Sequence, residues 1–151
     1  MPITIGGDDG ITNPVLRGLD VDGSITLIQI DAHLDWKDER YGEKDGYSSP
    51  MRRASELSHV TSIHQVGFRS FGSSTEEEVK SAREWGADIH TARQIHAQGI
   101  KRVIEAMPSG VNFFITLDYN LITRIKVYLS RSDSDVSIFT LKMLISPFTL
   151  N

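Results

Sequence analysis

Two rhythms alternate along this chain. Short apolar runs, each closed by glycine or an acid, are separated by stretches in which apolar residues recur every three or four positions. The first rhythm predicts strands and the second amphipathic helices. Residues 2–5 form a first strand, ending at Gly6-Gly7-Asp8-Asp9-Gly10. Thr12 or Asn13 then caps a helix with Pro14 in its first turn and Val15, Leu16 and Leu19 on its buried face. Residues 24–30 form a second strand, apolar enough to be buried on both sides. Residues 35–49 are polar and read as a long loop. Pro50 opens a helix over 51–57, and residues 60–66 form a third strand. Ser74 and Glu77 fit a capping box ahead of a helix whose inner face carries Val79, Ala82 and Trp85, with Gly86 as its stop. A short strand over 87–90 follows. One helix is predicted over 91–107, with Ile100, Val103, Ile104 and Met107 as its buried stripe. A fifth strand over 111–117 runs straight into Asp118.

Strand and helix alternate throughout, which is the signature of an α/β fold with a parallel sheet covered by helices. In such sheets ligands sit outside the carboxyl ends of the strands, and this chain places its acids there. Asp8 and Asp9 follow the first strand, Asp31, His33 and Asp35 the second, and Asp118 the fifth. Residues two apart in a strand point to one side, so Asp31, His33 and Asp35 leave one face in a row. Carboxylates crowded into a crevice repel one another unless a cation neutralises them. Carboxylates with an imidazole suit a divalent ion such as manganese.

Composition narrows the choice. The 151 residues suffice for one domain with a proper core. A formal charge of −4 argues against a general nucleic-acid binder. With no cysteine there is neither a disulfide nor a thiolate metal site. The beginning of the chain shows no signal peptide, and no apolar run is long enough for a bilayer span. A soluble cytoplasmic protein without a membrane partner is expected. His59, His64, His90 and His96 show no ligand spacing and read as surface or structural groups. Arg52-Arg53 reads as a helix face, and Gly6-Gly7 lacks the spacing of a nucleotide loop.

Three segments, in order and spacing, resemble the ureohydrolase family of arginase, agmatinase and relatives: Gly6-Gly7-Asp8-Asp9, Asp31-Ala32-His33-Leu34-Asp35 and Phe114-Ile115-Thr116-Leu117-Asp118. The stretch Gly46-Tyr47-Ser48-Ser49-Pro50-Met51-Arg52-Arg53-Ala54 is closer to the agmatinase branch. The resemblance implies a three-layer α/β/α fold and two manganese ions per subunit. It implies hydrolysis of a guanidino compound, agmatine-like, to an amine and urea by a hydroxide shared between the metals, a reaction of polyamine metabolism. By position Asp31 bridges the ions, His33 binds one and Asp35 the other, Asp118 is the second bridge, and Asp9 stands where many members have a histidine ligand. Asp31 and Asp35 thus carry the catalytic centre. Asp8 falls to a turn-forming or supporting role. Tyr47, Ser48 and Ser49 fall where the substrate would be contacted, and a homo-oligomer is implied for a full-length protein.

The chain also departs from the family. Asn120 replaces the second aspartate of the last motif, and Tyr47 stands in place of a histidine near the substrate. Residues 1–120 read as the central part of a ureohydrolase-like domain, without the segment that normally precedes the first motif. Residues 121–151 form a tail without family resemblance. Within it, residues 123–128 alternate like an exposed strand, residues 139–145 are an apolar patch, and Ser132-Asp133-Ser134-Asp135 reads as a polar turn. Two other readings follow: a catalytically inactive, truncated fragment acting through a full-length partner, and a non-catalytic α/β binding module.

Overall fold

The computed structural model describes residues 3–19, 23–69, 72, 74–109, 112–118 and 137–142. Six parallel strands form one sheet: β1 (Ile3–Gly6), β2 (Ile25–Ile30), β3 (Val60–Phe68), β4 (Asp88–Thr91), β5 (Asn112–Asp118) and β6 (Ser137–Lys142), in the spatial order β1-β6-β5-β2-β3-β4. The helices are α1 (Thr12–Arg17), α2 (Pro50–Ala54), α3 (Glu76–Trp85), α4 (Ala92–Gln98) and α5 (Ile100–Glu105). A 3-10 turn over Asp9–Ile11 leads into α1.

Strict alternation in the central strands divides the side chains between two cores. Leu27, Ile63, Ile89 and Phe114 pack against Leu16 of α1, Met51 and Ala54 of α2 and Ala82 of α3. On the other face Ile28, Val66, Phe113 and Ile115 meet Ile95 of α4 and Val103 of α5. Helices therefore cover both faces of the sheet, as the alternation of strands and helices predicts, in the three-layer α/β/α arrangement that the family resemblance implies. β2 is buried nearly throughout, because it has a strand on each side and a core on each face.

Several boundaries differ from the sequence reading. Asp8 caps the 3-10 turn, so Thr12 and Asn13 lie inside α1 and are buried there. The capping box of α3 is Thr75 with Glu78, one residue beyond the expected pair; Glu78 Oε2 accepts from Thr75 N at 2.8 Å. Both frames fit the same Ser/Thr-x-x-Glu pattern. The long helix over 91–107 is two helices broken at Gly99, whose backbone (φ 83°, ψ 152°) is not helical. The break turns the predicted stripe: Val103 is buried, but Ile100 and Ile104 are 49% and 60% exposed. Residues 137–142, within the segment set apart as a tail, form β6 and pair with both β1 and β5. Residues 123–128 and Ser132-Asp133-Ser134-Asp135 lie outside the described residues.

Candidate metal centre

The strand order fixes where a ligand can sit. From β2 the chain proceeds to β3 and β4 on one side, while β5 lies against β2 on the other. A crevice opens at such a reversal, beyond the carboxyl ends of the two strands. Ile30 of β2 is in register with Leu117 of β5. The next residue on each strand is an aspartate, Asp31 and Asp118, and these side by side are the foundation of the site. Asp9 arrives from the 3-10 turn after β1. Asp8 shapes that turn, accepting a hydrogen bond from Gly10 N at 2.9 Å, as its turn-forming role requires. Thr12 Oγ1 lies 3.4 Å from Thr116 Oγ1, fixing the start of α1 over β5.

Asp9, Asp31, Asp35 and Asp118 are all buried. Their carboxylates and His33 fall into two overlapping trios, Asp31–His33–Asp118 and Asp9–Asp31–Asp35, with the ligand atoms of each within 4.8 Å of one another. Asp31 belongs to both, whereas Asp118, which the resemblance makes a second bridge, groups only with Asp31 and His33. All five residues singled out as metal ligands are thus together. Asp31 Oδ1 accepts from His33 N at 2.9 Å and lies 3.3 Å from His33 Nδ1. That contact with Asp31 raises the His33 pKa above its ordinary range; burial opposes the rise, and the charges of Asp31, Asp118 and Asp9 add to it.

Behind the carboxylates runs a pair of amides that sequence reasoning missed. Gln29 Nε2 donates to Asp35 Oδ2 at 2.7 Å and to Asp31 Oδ2 at 3.2 Å. Gln65, its register partner on β3, donates Nε2 to Gln29 Oε1 at 2.7 Å and to Leu34 O at 2.5 Å. The available signal was a glutamine inside each of two predicted strands, 24–30 and 60–66. Asp35 itself has a left-handed backbone, φ 50°, and its carbonyl accepts from Met51 N at 3.0 Å. This ties the loop after β2 to the start of α2.

The same loop carries Tyr47, Ser48 and Ser49. Tyr47 is half exposed, with the Arg40 guanidinium 5.1 Å from its ring centre. Ser48 and Ser49 are buried, and their hydroxyls make no hydrogen bond among the described residues. Asn120 lies outside the described residues. Arg53 is buried and paired with Asp38 at 2.6 Å and Glu56 at 3.0 Å, and so holds the loop and α2 rather than a ligand. A cavity of about 860 Å³ lies away from the carboxylates, between α3 and the ends of β3 and β4, lined by Phe68, Val79 and Arg83 among others.

The histidines outside the acidic crevice divide. His59 Nε2 lies 3.1 Å from Leu16 O, a structural contact. His64 and His90, by contrast, meet Asp88 across β3 and β4. Their separation in sequence hid this because strand pairing, not spacing, brings them together.

Buried carboxylates joined by one imidazole form a hard donor set, and two trios sharing a carboxylate fit a pair of divalent cations bridged by Asp31. Such a concentration of buried negative charge is costly without a cation.

Known proteins resemble this chain in sequence and in fold. A guanidinobutyrase from Pseudomonas aeruginosa is 38% identical over 80 residues, 51% of this chain and 25% of that protein. An agmatinase from Halalkalibacterium halodurans is 28% identical over 123 residues, 81% of this chain and 40% of that protein. Among solved structures, formimidoylglutamase from Bacillus subtilis superposes with a TM-score of 0.76 at 20% identity, covering 93% of this chain and 52% of that one. The chain spans a quarter to two fifths of the length of these curated relatives. With the arginase family model matching residues 1–123, the chain belongs to the arginase family.

Proposed function

We propose that this chain carries the metal centre of a manganese-dependent ureohydrolase, which cleaves a linear guanidino compound of the agmatine type to an amine and urea. The observation that carries the reading is the sharing of Asp31 between two buried trios. His33 and Asp118 would complete one metal position, Asp9 and Asp35 the other. Once bound, a divalent pair supplies a water acidic enough to act as hydroxide at neutral pH.

The chain's own residues do the rest. Gln29 holds the Asp31 and Asp35 carboxylates in a fixed orientation through its amide. Asp35, in its left-handed conformation, anchors the loop that carries Tyr47, Ser48 and Ser49 beside the crevice. We assign that loop to substrate contact, because its two buried serine hydroxyls still have bonds to make. The names of two relatives, agmatinase and guanidinobutyrase, support a linear guanidino substrate. Among the described residues no helix is long and apolar enough to cross a membrane; we take the complete protein to be a cytoplasmic homo-oligomer.

The test is bound manganese per chain, by elemental analysis after loading and exhaustive dialysis, followed by urea release from agmatine and 4-guanidinobutyrate. Close to two ions per chain with urea release is the expected result. A folded chain that retains no manganese refutes the reading. A second reading, an inactive fragment that associates with a longer subunit, is favoured by β1, an edge strand on which Ile3 and Ile5 are 58% and 67% exposed. Two bound ions without urea release would select it.

A further inference from the structure

A second cluster lies on the opposite face of the sheet from Gln65. His64 of β3 is in register with Asp88 of β4, and Val66 with His90. Residues two apart share a face, so His64, Asp88 and His90 stand together on one side of two neighbouring strands. One oxygen lies between both rings: Asp88 Oδ2 is 3.6 Å from His64 Nδ1 and 3.0 Å from His90 Nε2. The rings are nearly parallel, 5° apart in plane, with centres separated by 6.1 Å. We propose that His64 Nδ1, Asp88 Oδ2 and His90 Nε2 form a separate site for a borderline divalent cation, zinc above all, which clamps the edge strand β4 to β3.

Three observations support it. The His64 side chain is only 6% exposed, yet its Nδ1 makes no hydrogen bond. A 3.6 Å approach to Asp88 is too long for one, and an ion pair between His90 and Asp88 alone leaves this buried nitrogen unexplained. The ring's other nitrogen, Nε2, lies 3.3 Å from Ser62 Oγ. If it donates there, the Nδ1 lone pair is directed at Asp88, the arrangement that orients metal-binding imidazoles. The donor set also differs from that of the carboxylate crevice. Two imidazole nitrogens and one carboxylate oxygen suit zinc, with a fourth position left to water, whereas the crevice is richer in oxygen and suits manganese. The site stands independently of the proposed hydrolysis.

The experiment uses the intact chain, with zinc uptake measured by calorimetry and cobalt(II) as a spectroscopic substitute. Wild type should bind zinc in addition to manganese and give cobalt absorption bands of a low-coordinate site. His90→Gln and Asp88→Asn should weaken zinc binding by at least about tenfold and lose those bands. Asp35→Asn should keep them while losing one of the manganese ions. Asp88 is half exposed, so Asp88→Asn tests the site without disturbing the core. Zinc binding unchanged in Asp88→Asn, or zinc and cobalt signals lost in Asp35→Asn and kept in His90→Gln, would overturn the proposal. Either result leaves manganese binding at the crevice a separate question.

Discussion

Gln29 donates its side-chain amide to Asp35 Oδ2 at 2.7 Å, from within β2, a strand buried nearly throughout. The same nitrogen reaches Asp31, and Gln65 supports Gln29 from the next strand. A neutral amide can orient two carboxylates without adding to their charge. Gln29→Leu should lower the stability of the metal-free chain by about 1–3 kcal/mol, because buried acceptors lose their donor. It should also weaken manganese binding by about 10–100-fold, the usual cost of losing a group that orients metal ligands. Gln29→Glu should be worse, since it adds another buried carboxylate. Urea unfolding of the metal-free chain and a manganese titration measure the two effects. Unchanged manganese affinity in Gln29→Leu would remove the orienting role.

The two trios make unequal demands on their members. Asp31 belongs to both, while Asp9 and Asp35 belong to one and His33 and Asp118 to the other. Asp31→Ala should therefore abolish binding of both ions, and Asp9→Asn should remove one. In the metal-free chain the Asp9 substitution should act in the opposite direction. Asp9→Asn relieves repulsion among buried carboxylates and should raise the thermal midpoint. Elemental analysis and metal-free melting curves check the pair together. Equal metal loss in Asp9→Asn and Asp31→Ala would contradict a bridge at Asp31.

Much of this was legible in the sequence, for a physical reason. Strands buried on both faces read as near-continuous apolar runs, so Ile25–Ile30, interrupted only by Thr26 and Gln29, and its acidic end are conspicuous. The rule that sites lie beyond strand ends then pointed to the acidic ends of the first, second and fifth strands; the choice of Asp9, Asp31, His33, Asp35 and Asp118 among them came from the family resemblance, and the structure groups these five. What escaped depends on neighbours remote in sequence. Gln29 with Gln65, and His64 with Asp88 and His90, are cross-strand relationships that one strand read alone cannot reveal. The break at Gly99 escaped because the apolar spacing continues through it; only the backbone conformation shows that Ile100 and Ile104 turn outward.

His33 gives the metal-free chain a pH dependence of definite sign. Its pKa is raised above 6.5, first by the contact with Asp31 and further by the charges of Asp31, Asp118 and Asp9, against the effect of burial. The protonated imidazole thus stabilises the fold fully below the unfolded-state value, and this contribution is lost as pH rises through the folded-state value. Manganese needs the neutral ring, so its binding should strengthen across the same interval. Urea midpoints of the metal-free chain should fall as pH is raised through this window while manganese affinity climbs. His33→Asn should flatten that part of the stability profile. A profile identical to wild type would show that the Asp31–His33 pair does not titrate in this way.

Gly67 of β3 supports the Asp31 backbone from the side of β2 away from β5. Its backbone has φ +107°, and a β-carbon there would stand 3.0 Å from the Asp31 carbonyl oxygen. Asp31 N in turn donates to Val66 O at 3.0 Å, so the end of β2 is seated directly on this stretch of β3. Gly67→Ala meets both obstacles: a backbone region that side chains rarely adopt, and a contact with main chain that cannot swing away. The substitution should cost on the order of 1–3 kcal/mol and shift Asp31 relative to Asp118, so manganese affinity should fall with stability. Gly72 shares the positive φ (+88°) but has nothing within 4 Å of an added β-carbon. Gly72→Ala therefore supplies the comparison, destabilising the chain while leaving manganese binding intact. Equal metal affinity in the two variants, measured on folded protein, would show that the close approach to Asp31 does not position the site.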